Sequence, residues 1–330
     1  MKAQNIVVYN TEALSPLFER VIIASGTSNR QTKALAASVR EAVKAAGVTF
    51  VASMLERVIE ERARGDAGRA LEIRRRIEDL LGGSLRSVKP GSEAAAKVKA
   101  HLVAEGLWSQ YLEVGIGPDA EIFTKAQPMA SVGHGSRIGI HPMSSWNNPE
   151  PEIVLVVTSG GEIVGATLGN DVNLRDVEGR SALLLGKAKD NNASCQIGPF
   201  VRLFDESFGL GDVRRAEVRL EVRGTDGFVL EGSSSMSEIS RDPVELVANM
   251  MGKHHQYPDG AVLFCGTMFA PVQDRDAPGQ GFTHHEGDVT TIRCAELGTL
   301  TGVGDRCDRI EPWTFGTRAL MRNLAERGLL

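Results

Sequence analysis

Aromatic residues are scarce in this chain of 330 residues, at 5% of the sequence, while 36 residues are glycine. Glycine makes up about 11% of the chain against a usual ~7%, so the two figures predict many tight turns and a β-rich portion with a Val, Ile and Leu core. The hydrophobic fraction of 42% and the charged fraction of 24% lie near the averages for packed domains. These values exclude wholesale disorder, and the length predicts roughly two domains.

Other features are missing. The four cysteines form no C-x-x-C pair, no signal-peptide pattern opens the chain, and no apolar run approaches the ~18 residues of a membrane span. A formal net charge of -5 provides no general field that attracts nucleic acid or acidic membranes. We therefore expect a cytoplasmic protein with four reduced, structural cysteines, and neither a nucleic acid nor a membrane as its partner.

The composition changes twice along the chain. Up to about residue 48, two apolar runs precede a segment, 31–46, whose apolar residues recur at helical spacing before Gly47, and this zone predicts a β-α-β-α fragment. Residues 49–107 are highly charged and helical, with Ser92 as the expected N-cap of one helix. From about residue 110, short strands alternate with Gly, Asn, Asp and Pro, which is typical of a β-rich catalytic domain.

These changes predict an α+β protein in two parts, an N-terminal α/β and charged helical region over 1–107 and a β-rich, mixed-sheet domain over 108–330. No low-complexity linker or internal repeat marks the boundary, so it is placed by the change in pattern alone. The run Arg74, Arg75 and Arg76 could contact nucleic acid. Because acidic residues flank it on both sides, a solvated helix face is the simpler interpretation.

A hairpin is predicted around Gly160 and Gly161, because two β-type runs flank these glycines. If the two glycines are the loop, Ser159 pairs with Glu162. Counting outward from that pair fixes which residues of the two runs lie opposite each other.

The count places Glu152 opposite Gly169 and Glu150 opposite Asp171. Since opposed residues share a face of the sheet and side chains alternate with period two, the three carboxylates are expected together on one face, where the glycine leaves space above the sheet. Unpaired, they would repel each other. Mg²⁺ takes oxygen ligands and keeps sites open for water or substrate, and Mn²⁺ would suit the same ligands. The alternative is that these acids are solvated residues near a turn.

Lys189 is the candidate base downstream of these acids. A lysine beside a metal-bound substrate can have its pKa lowered by the cation and can then take a proton. It could instead form a Schiff base, and without further support an ordinary surface lysine is the default.

At these residues the chain resembles the fumarylacetoacetate hydrolase superfamily, over roughly residues 110–330. The matching pieces are Glu150, Glu152, 169–172, Arg175, Asp176, 188–189, 197–199, 259–260, 265–267 and 287–289. The resemblance implies a mixed β-fold catalytic domain with Mg²⁺ held by the positions of Glu150, Glu152 and Asp171. It also implies a homo-oligomer, a dimer or tetramer.

Within the superfamily, the chain is most similar to sugar-acid dehydratases that act on 2-keto-3-deoxy-pentonates, small-molecule substrates of pentose metabolism. The segments that carry this similarity are 122–128, 180–189, 255–260, 266–271 and 313–318. The implied reaction is the loss of water to give 2,5-dioxopentanoate: the metal polarises the ketone and stabilises an enolate, Lys189 takes the C3 proton, and the C4 hydroxyl leaves. The implied substrate-binding residues are Lys125, Arg175, Gly266 and Thr267.

Hydrolases of the superfamily often carry an upstream G-R-N-Y…H segment with a nearby acid that activates water, and no such segment precedes Glu150. His134 and His141 lack that context and are interpreted as turn or structural residues. A lyase, which needs only a metal and a base, is therefore preferred to the alternative, an acylpyruvate or diketo-acid hydrolase. His284 and His285 would point to opposite faces of a strand, which argues against a second metal site there.

A second resemblance covers residues 4–47. Segments 5–9, 14–18 and 23–36 are similar to the start of a ribosomal silencing factor, a small α/β family that docks on the large ribosomal subunit. The second half of that domain is missing from the match, and half a domain buries little apolar surface. Ribosome docking is therefore not expected, and a ribosome-associated regulator is only a remote alternative.

Overall fold

The computed structural model describes residues 4–10, 20–25, 42–81 and 88–327. The α-helices of these ranges are α1 (Val51–Ala63), α2 (Ala67–Leu81), α3 (Glu93–Ala104), α4 (Gln110–Ile116), α5 (Arg175–Glu178), α6 (Leu185–Lys189), α7 (Leu210–Val213), α8 (Pro243–Met250) and α9 (Thr317–Glu326). The strands are β1 (Gln4–Asn10), β2 (Arg20–Ser25), β3 (Val43–Ala46), β4 (Ile122–Ala126), β5 (Arg137–Ile140), β6 (Asn147–Asn148), β7 (Pro151–Val157), β8 (Ile163–Asp171), β9 (Asn173–Leu174), β10 (Cys195–Leu203), β11 (Glu217–Arg223), β12 (Val229–Ser235), β13 (Ala261–Phe264), β14 (Val289–Cys294) and β15 (Gly298–Arg306). Within these ranges, no helix combines the length and the apolarity that crossing a lipid bilayer requires.

A mixed six-stranded sheet forms the centre of the protein and confirms the predicted α+β class. Its strand order is β10-β8-β7-β13-β3-β4, and all neighbours are antiparallel except β13 and β3, which run parallel. β7 is buried along its whole length, and its sequence is almost continuously apolar, as expected for a strand that is covered on both faces. The acidic residues next to this strand are therefore held well below the surface.

A second sheet of five strands has the order β12-β11-β14-β15-β5. Along β11 buried apolar residues alternate with charged residues that point outward, so one face of this sheet meets solvent. Leu220 of β11 and Ile292 of β14 share a core cluster with Leu155 of β7. The two sheets therefore enclose the main hydrophobic core between them.

The first four helices build a smaller core of their own, to which α1 contributes Met54 and Val58 and α4 contributes Leu112. The predicted N-cap is confirmed, because the side chain of Ser92 accepts a hydrogen bond from the backbone N–H of Ala95 at the start of α3. α1 is buried on most sides, including its charged residues Glu56, Arg57 and Glu60. Such a helix must meet charged partners as well as apolar ones.

The predicted helix over 31–46 is wrong at its C-terminal end, where Val43–Ala46 form β3. This strand lies between β13 and β4, and Val43, Ala45 and Ala46 are buried. Hydrogen bonding to neighbours on both sides satisfies the backbone and outweighs the helical spacing of the sequence. Residues 31–41 lie outside the described ranges. The two apolar runs of the same zone form β1 and β2, which pair antiparallel.

All four cysteines are free, as expected. Cys195, Cys265 and Cys294 are buried, and burial raises the pKa of the Cys195 thiol to about 12 and that of Cys294 to about 11. Thiols with such pKa values remain protonated and unreactive at neutral pH. Their role in the structure is packing.

Candidate active site

The register of the hairpin formed by β7 and β8 brings the predicted carboxylates together. Glu152 lies opposite Gly169, and the backbone N–H of Asp171 donates to the carbonyl of Glu150 over 3.0 Å. One carboxylate oxygen from each of Glu150, Glu152 and Asp171 lies within 4.8 Å of the others, and each residue is 1% exposed. The predicted cluster is therefore present, and the alternative of solvated acids near a turn is excluded.

The turn of this hairpin differs from the prediction, although the register is the predicted one. Thr158, not Ser159, pairs with Glu162, through an N–H to carbonyl hydrogen bond of 2.9 Å. Gly161 has a φ of 82°, which suits the left-handed position of a three-residue loop. A shift in register between Val156 and Val157 then compensates for the extra loop residue. The bulge is why a wrong turn still gave the correct pairing.

Gly169 does not leave open space above the sheet, as the sequence suggested. A Cβ atom at this position would lie 2.3 Å from Phe264 and 2.6 Å from Val154, closer than carbon atoms approach each other. Glycine is required here because these two apolar side chains pack directly on the backbone. The cluster is thus closed from this side by packed protein.

Glu150 is the most heavily bonded of the three acids. Its Oε1 accepts a hydrogen bond from Arg57, and its Oε2 accepts hydrogen bonds from Lys189 and Thr267. Glu152 accepts from the backbone N–H of Gly266 over 2.7 Å. The charged donors stabilise the ionised form of Glu150, and although burial raises its pKa, Lys189 and Arg57 hold that pKa below its usual value.

Asp171 is paired with two lysines, and these two lysines differ in position. Its carboxylate lies 2.8 Å from the Nζ of Lys125 and 3.3 Å from the Nζ of Lys189. Lys125 is fully buried and donates to the backbone carbonyls of Lys189 and Val172. These contacts revise the prediction that Lys125 binds substrate, because its donors are directed at protein atoms behind the cluster.

The prediction that Arg175 binds substrate is revised for a similar reason. It is fully buried, donates to Glu56 and Glu60 over 2.6 Å each, and lies 4.4 Å over the ring of Trp146. A third donation goes to the carbonyl of Pro271. With its donors engaged in this way, Arg175 fixes α1 against the loop before β6 and is not directed toward a substrate.

The two other residues predicted to bind substrate lie in the cluster. Gly266 has a φ of 105°, and a Cβ atom there would lie 2.0 Å from the Oγ1 of Thr49, so only glycine allows its N–H to reach Glu152. Thr267 donates to Glu150 over 2.6 Å and lies 3.5 Å from Glu152. Both residues therefore contact the candidate metal ligands, and Thr267 also lines the adjoining cavity.

A cavity of ≈ 20 Å³ adjoins the carboxylates. Three charged residues that line it were missed by the sequence analysis, namely Arg57 of α1, Glu121 before β4, and Glu178 of α5. The charged sequence of this region predicted helix and did not indicate which of its charged residues are buried. The only available signal was the spacing of Arg57 and Glu60, which lie three residues apart and form an ion pair.

Burial without enough positive charge disturbs the acids of the cavity. Burial and the neighbouring carboxylates of Asp171 and Glu150 raise the pKa of Glu152 well above its usual value. Burial, with the charge of Glu178 next, raises the pKa of Glu121 to about 7, and burial likewise raises the pKa of Glu178. The site therefore holds more negative charge than its own cations neutralise.

The charges of the connected network support this conclusion. Seven carboxylates belong to it among the described residues: Glu56, Glu60, Glu121, Glu150, Glu152, Asp171 and Glu178. Five cationic side chains oppose them: Arg57, Arg74, Lys125, Arg175 and Lys189. If all seven carboxylates are ionised, they exceed the cations by two negative charges, which is the charge that one divalent cation neutralises. The all-oxygen donor set fits Mg²⁺ or Mn²⁺.

The other predicted charged and histidine positions have structural contacts. Arg74 belongs to the buried network through Glu56, so the solvated-face interpretation does not hold for this residue. His134 accepts a hydrogen bond from the backbone N–H of Thr301, and His141 accepts one from that of Met143. His134 and His141 thus stabilise loops, as predicted.

The sequence matches the fumarylacetoacetate (FAA) hydrolase C-terminal family over residues 100–303. The chain belongs to this family. A solved structure of "2-keto-3-deoxy-D-arabinonate dehydratase complexed with magnesium and 2,5-dioxopentanoate" superposes on this FAA hydrolase family member with a TM-score of 0.58 and 22% identity, covering 87% of this chain and 84% of that one. This likeness confirms the expected fold.

Two curated relatives have a higher sequence identity, over a shorter part of this chain. This chain is 34% identical over 191 residues to the "Probable 2-keto-3-deoxyxylonate dehydratase" of Haloferax volcanii, and the match covers 58% of this chain and 62% of the relative. It is 31% identical over 180 residues to the "2-dehydro-3-deoxy-D-arabinonate dehydratase" of Saccharolobus solfataricus, covering 54% of this chain and 57% of the relative. The matches thus span less than two thirds of each relative.

The N-terminal segment matches a different family. Residues 1–60 match the family described as "Ribosomal silencing factor during starvation". This confirms the second resemblance, for a short part of the chain. Within that segment the described residues are β1, β2 and the stretch from residue 42, which enters the central sheet and α1.

Proposed function

We propose that this chain is a Mg²⁺-dependent hydro-lyase that dehydrates a 2-keto-3-deoxy-pentonate to 2,5-dioxopentanoate. The observation that carries the proposal is the cluster of Glu150, Glu152 and Asp171, whose oxygens lie within 4.8 Å of one another beside the amine of Lys189. The two curated relatives, named as dehydratases of such sugar acids, support the choice of substrate class.

The residues of the cluster fit a dication. Three carboxylates that each offer an oxygen to one point suit Mg²⁺, which prefers oxygen ligands. When bound, the ion would supply the positive charge that stabilises an enolate and that lowers the pKa of Lys189. The structural relative named above was solved with magnesium and 2,5-dioxopentanoate, which agrees with this choice of cofactor.

The chain's own residues supply the proton transfers. Lys189 takes a proton from C3 of the 2-oxo acid, because its Nζ lies beside Glu150 and Asp171 and Lys189 lines the cavity. Loss of the C4 hydroxyl as water needs a proton, and Glu121, which lines the same cavity with a pKa of about 7, donates it. The product of elimination then isomerises through an enol to the aldehyde. Phe264 and Val154 close the cluster on the side of Gly169.

One assay tests the proposal. Purified protein with Mg²⁺ and 2-keto-3-deoxy-D-pentonate is expected to form an aldehyde, detected with a coupled semialdehyde dehydrogenase, and EDTA is expected to abolish the signal. Cleavage of acylpyruvates without any aldehyde would instead assign the chain to the hydrolases of the family. If neither substrate reacts, the proposed function is rejected.

The assignment of Glu121 predicts a pH dependence. A proton donor with a pKa of about 7 is charged and inactive above that pH, so kcat/KM is expected to fall as the pH rises through about 7. Glu121→Gln is expected to lower kcat by about 10²- to 10⁴-fold and to remove this limb of the profile. Asp119→Asn, at an exposed position two residues earlier, is the matched control. A profile without this alkaline limb, or a limb that Glu121→Gln leaves unchanged, would refute Glu121 as the proton donor.

The remaining expectations complete the proposal. The enzyme works in the cytoplasm as a homo-oligomer, a dimer or tetramer, with small-molecule substrates as its partners. The low net charge and the absence of a spanning helix in the described ranges are compatible with this setting. Ribosome docking forms no part of it.

A further inference from the structure

We propose that Arg57 is the group that binds the C1 carboxylate of the 2-oxo acid substrate, an inference that rests on the proposed function. The two cationic residues that the sequence predicted to bind substrate, Lys125 and Arg175, are engaged with protein atoms behind the site. A carboxylate that enters a site rich in acids needs a cationic partner, because like charges would otherwise repel it.

The cavity offers few such partners. Among the described residues that line it, Arg57 and Lys189 carry positive charge, whereas four are acids, namely Glu121, Glu150, Asp171 and Glu178. Lys189 has the role of the base, and its amine is surrounded by Glu150 and Asp171. Arg57 is therefore the cation that is left for the substrate carboxylate.

Arg57 is held in place for this contact. Its Nη1 donates to Glu60, which is itself anchored by Arg175 over 2.6 Å, and the same nitrogen lies 3.5 Å from Glu178. Its Nη2 donates to Oε1 of Glu150 at the edge of the cavity. A guanidinium with one nitrogen fixed and the other directed at a carboxylate is preorganised for a planar carboxylate ligand.

The hydrogen bond from Arg57 to Glu150 joins a guanidinium to a carboxylate, as the proposed bond to the substrate would. A 2-oxo acid chelated beside Glu150 presents its carboxylate to the same nitrogen. The cavity of ≈ 20 Å³ is far below the ~300–1,000 Å³ of typical ligand pockets, so substrate entry must rearrange the side chains that line it. Exchange of the Arg57 bond from Glu150 to the substrate is a rearrangement that keeps the guanidinium paired.

Calorimetry with pyruvate, the simplest 2-oxo acid, tests the inference on the full-length, Mg²⁺-loaded protein at pH 8. Arg57→Gln is expected to weaken pyruvate binding by about 10- to 100-fold, the cost of losing a charge-assisted hydrogen bond to a buried anion. Binding of pyruvamide, which has no charge, is expected to change little. Mg²⁺ affinity, measured separately, is expected to stay equal or to rise, because a positive charge beside Glu150 has been removed.

The expected loss of pyruvate affinity without a loss of Mg²⁺ affinity separates this role from a structural one. A residue that only supports the fold would weaken Mg²⁺, pyruvate and pyruvamide binding together, and that result overturns the inference, as does unchanged pyruvate binding in Arg57→Gln or none in the wild type. Arg57→Lys keeps the charge and loses the planar fork, so it serves as the test variant if Arg57→Gln does not fold. Its pyruvate affinity is expected to lie between those of the wild type and Arg57→Gln. Arg69→Gln, exposed on α2, is the control.

The same experiment separates the inference from the function. If the wild type binds pyruvate through Arg57 but forms no aldehyde from the sugar acid, the proposed function fails and the carboxylate-binding role stands. If the wild type dehydrates the sugar acid and Arg57→Gln binds pyruvate as the wild type does, the function stands and the role of Arg57 is refuted.

Discussion

Glu152→Gln is expected to abolish Mg²⁺-dependent turnover while the protein remains folded. Loss of a carboxylate from the cluster of Glu150, Glu152 and Asp171 removes one ligand and one charge, so the effect on Mg²⁺ affinity should exceed the ~10–100-fold that loss of an outer-shell partner costs. Turnover should fall with it, and isothermal titration with Mg²⁺ together with the aldehyde assay measures both quantities.

The fold should survive this change for a specific reason. Because burial and two neighbouring carboxylates raise the pKa of Glu152, the neutral amide of glutamine resembles the carboxyl that the metal-free protein already contains. We expect the free energy of unfolding to change by less than about 1 kcal/mol. Glu162→Gln, exposed at the turn of the same hairpin, is the matched control. Wild-type turnover and Mg²⁺ affinity in Glu152→Gln would refute the ligand assignment.

Lys189→Ala is expected to retain Mg²⁺ binding and to lose the chemical step. Removing a positioned general base costs about 10²- to 10⁴-fold in rate. Mg²⁺ affinity should be equal or higher, because the ammonium that pairs with Glu150 and Asp171 is gone. Lys187→Ala, exposed on the same helix, should behave as the wild type. Single-turnover kinetics at saturating Mg²⁺ measures the step directly.

The surroundings of Lys189 give this prediction its second condition. Burial lowers the pKa of its amine, but the carboxylates of Asp171, Glu150 and Glu178 outweigh burial and raise that pKa above the usual value. In the metal-free protein Lys189 is therefore an ammonium and no base, and activity should depend on the dication even where substrate is bound. Full turnover of Lys189→Ala would assign the C3 proton to another residue.

The hairpin shows what a sequence can predict about such a site. Period-two alternation and the position of two glycines were enough to bring Glu150, Glu152 and Asp171 to one face, since strand pairing is a local matter once the turn is located. The turn itself was misplaced by one residue. A bulge beside Val157 corrected the error, and nothing in a run of valines announces where a bulge will form.

The charged wall of the site could not be predicted in this way. Arg57 reaches Glu150 across 93 positions of sequence, and Arg175 reaches Glu60 across 115. A helix with alternating acids and arginines has the same pattern whether water or other charges surround it. Burial of α1 against the sheet, which is a tertiary event, decides between the two.

β3 could not be predicted for a related reason. The spacing of apolar residues over 31–46 suits a helix, but the backbone of Val43–Ala46 completes a sheet between β13 and β4. Local preference amounts to a few tenths of a kcal/mol per residue, whereas unpaired backbone groups of neighbouring buried strands cost more. One of the two pairing partners of this strand, β13, lies more than 200 residues away in the sequence.

The position of β3 decides where a shortened version of this protein can begin. A protein starting at residue 108 would lack β3, so β13 and β4 would each expose an unpaired edge, which promotes aggregation. It would also lack α1, the helix that carries Arg57. The pairing of β4 with β3, which holds Lys125 and the neighbouring Glu121 in place, would be lost as well. A trimmed gene that is meant to yield a working catalyst therefore has to begin upstream of Ala42.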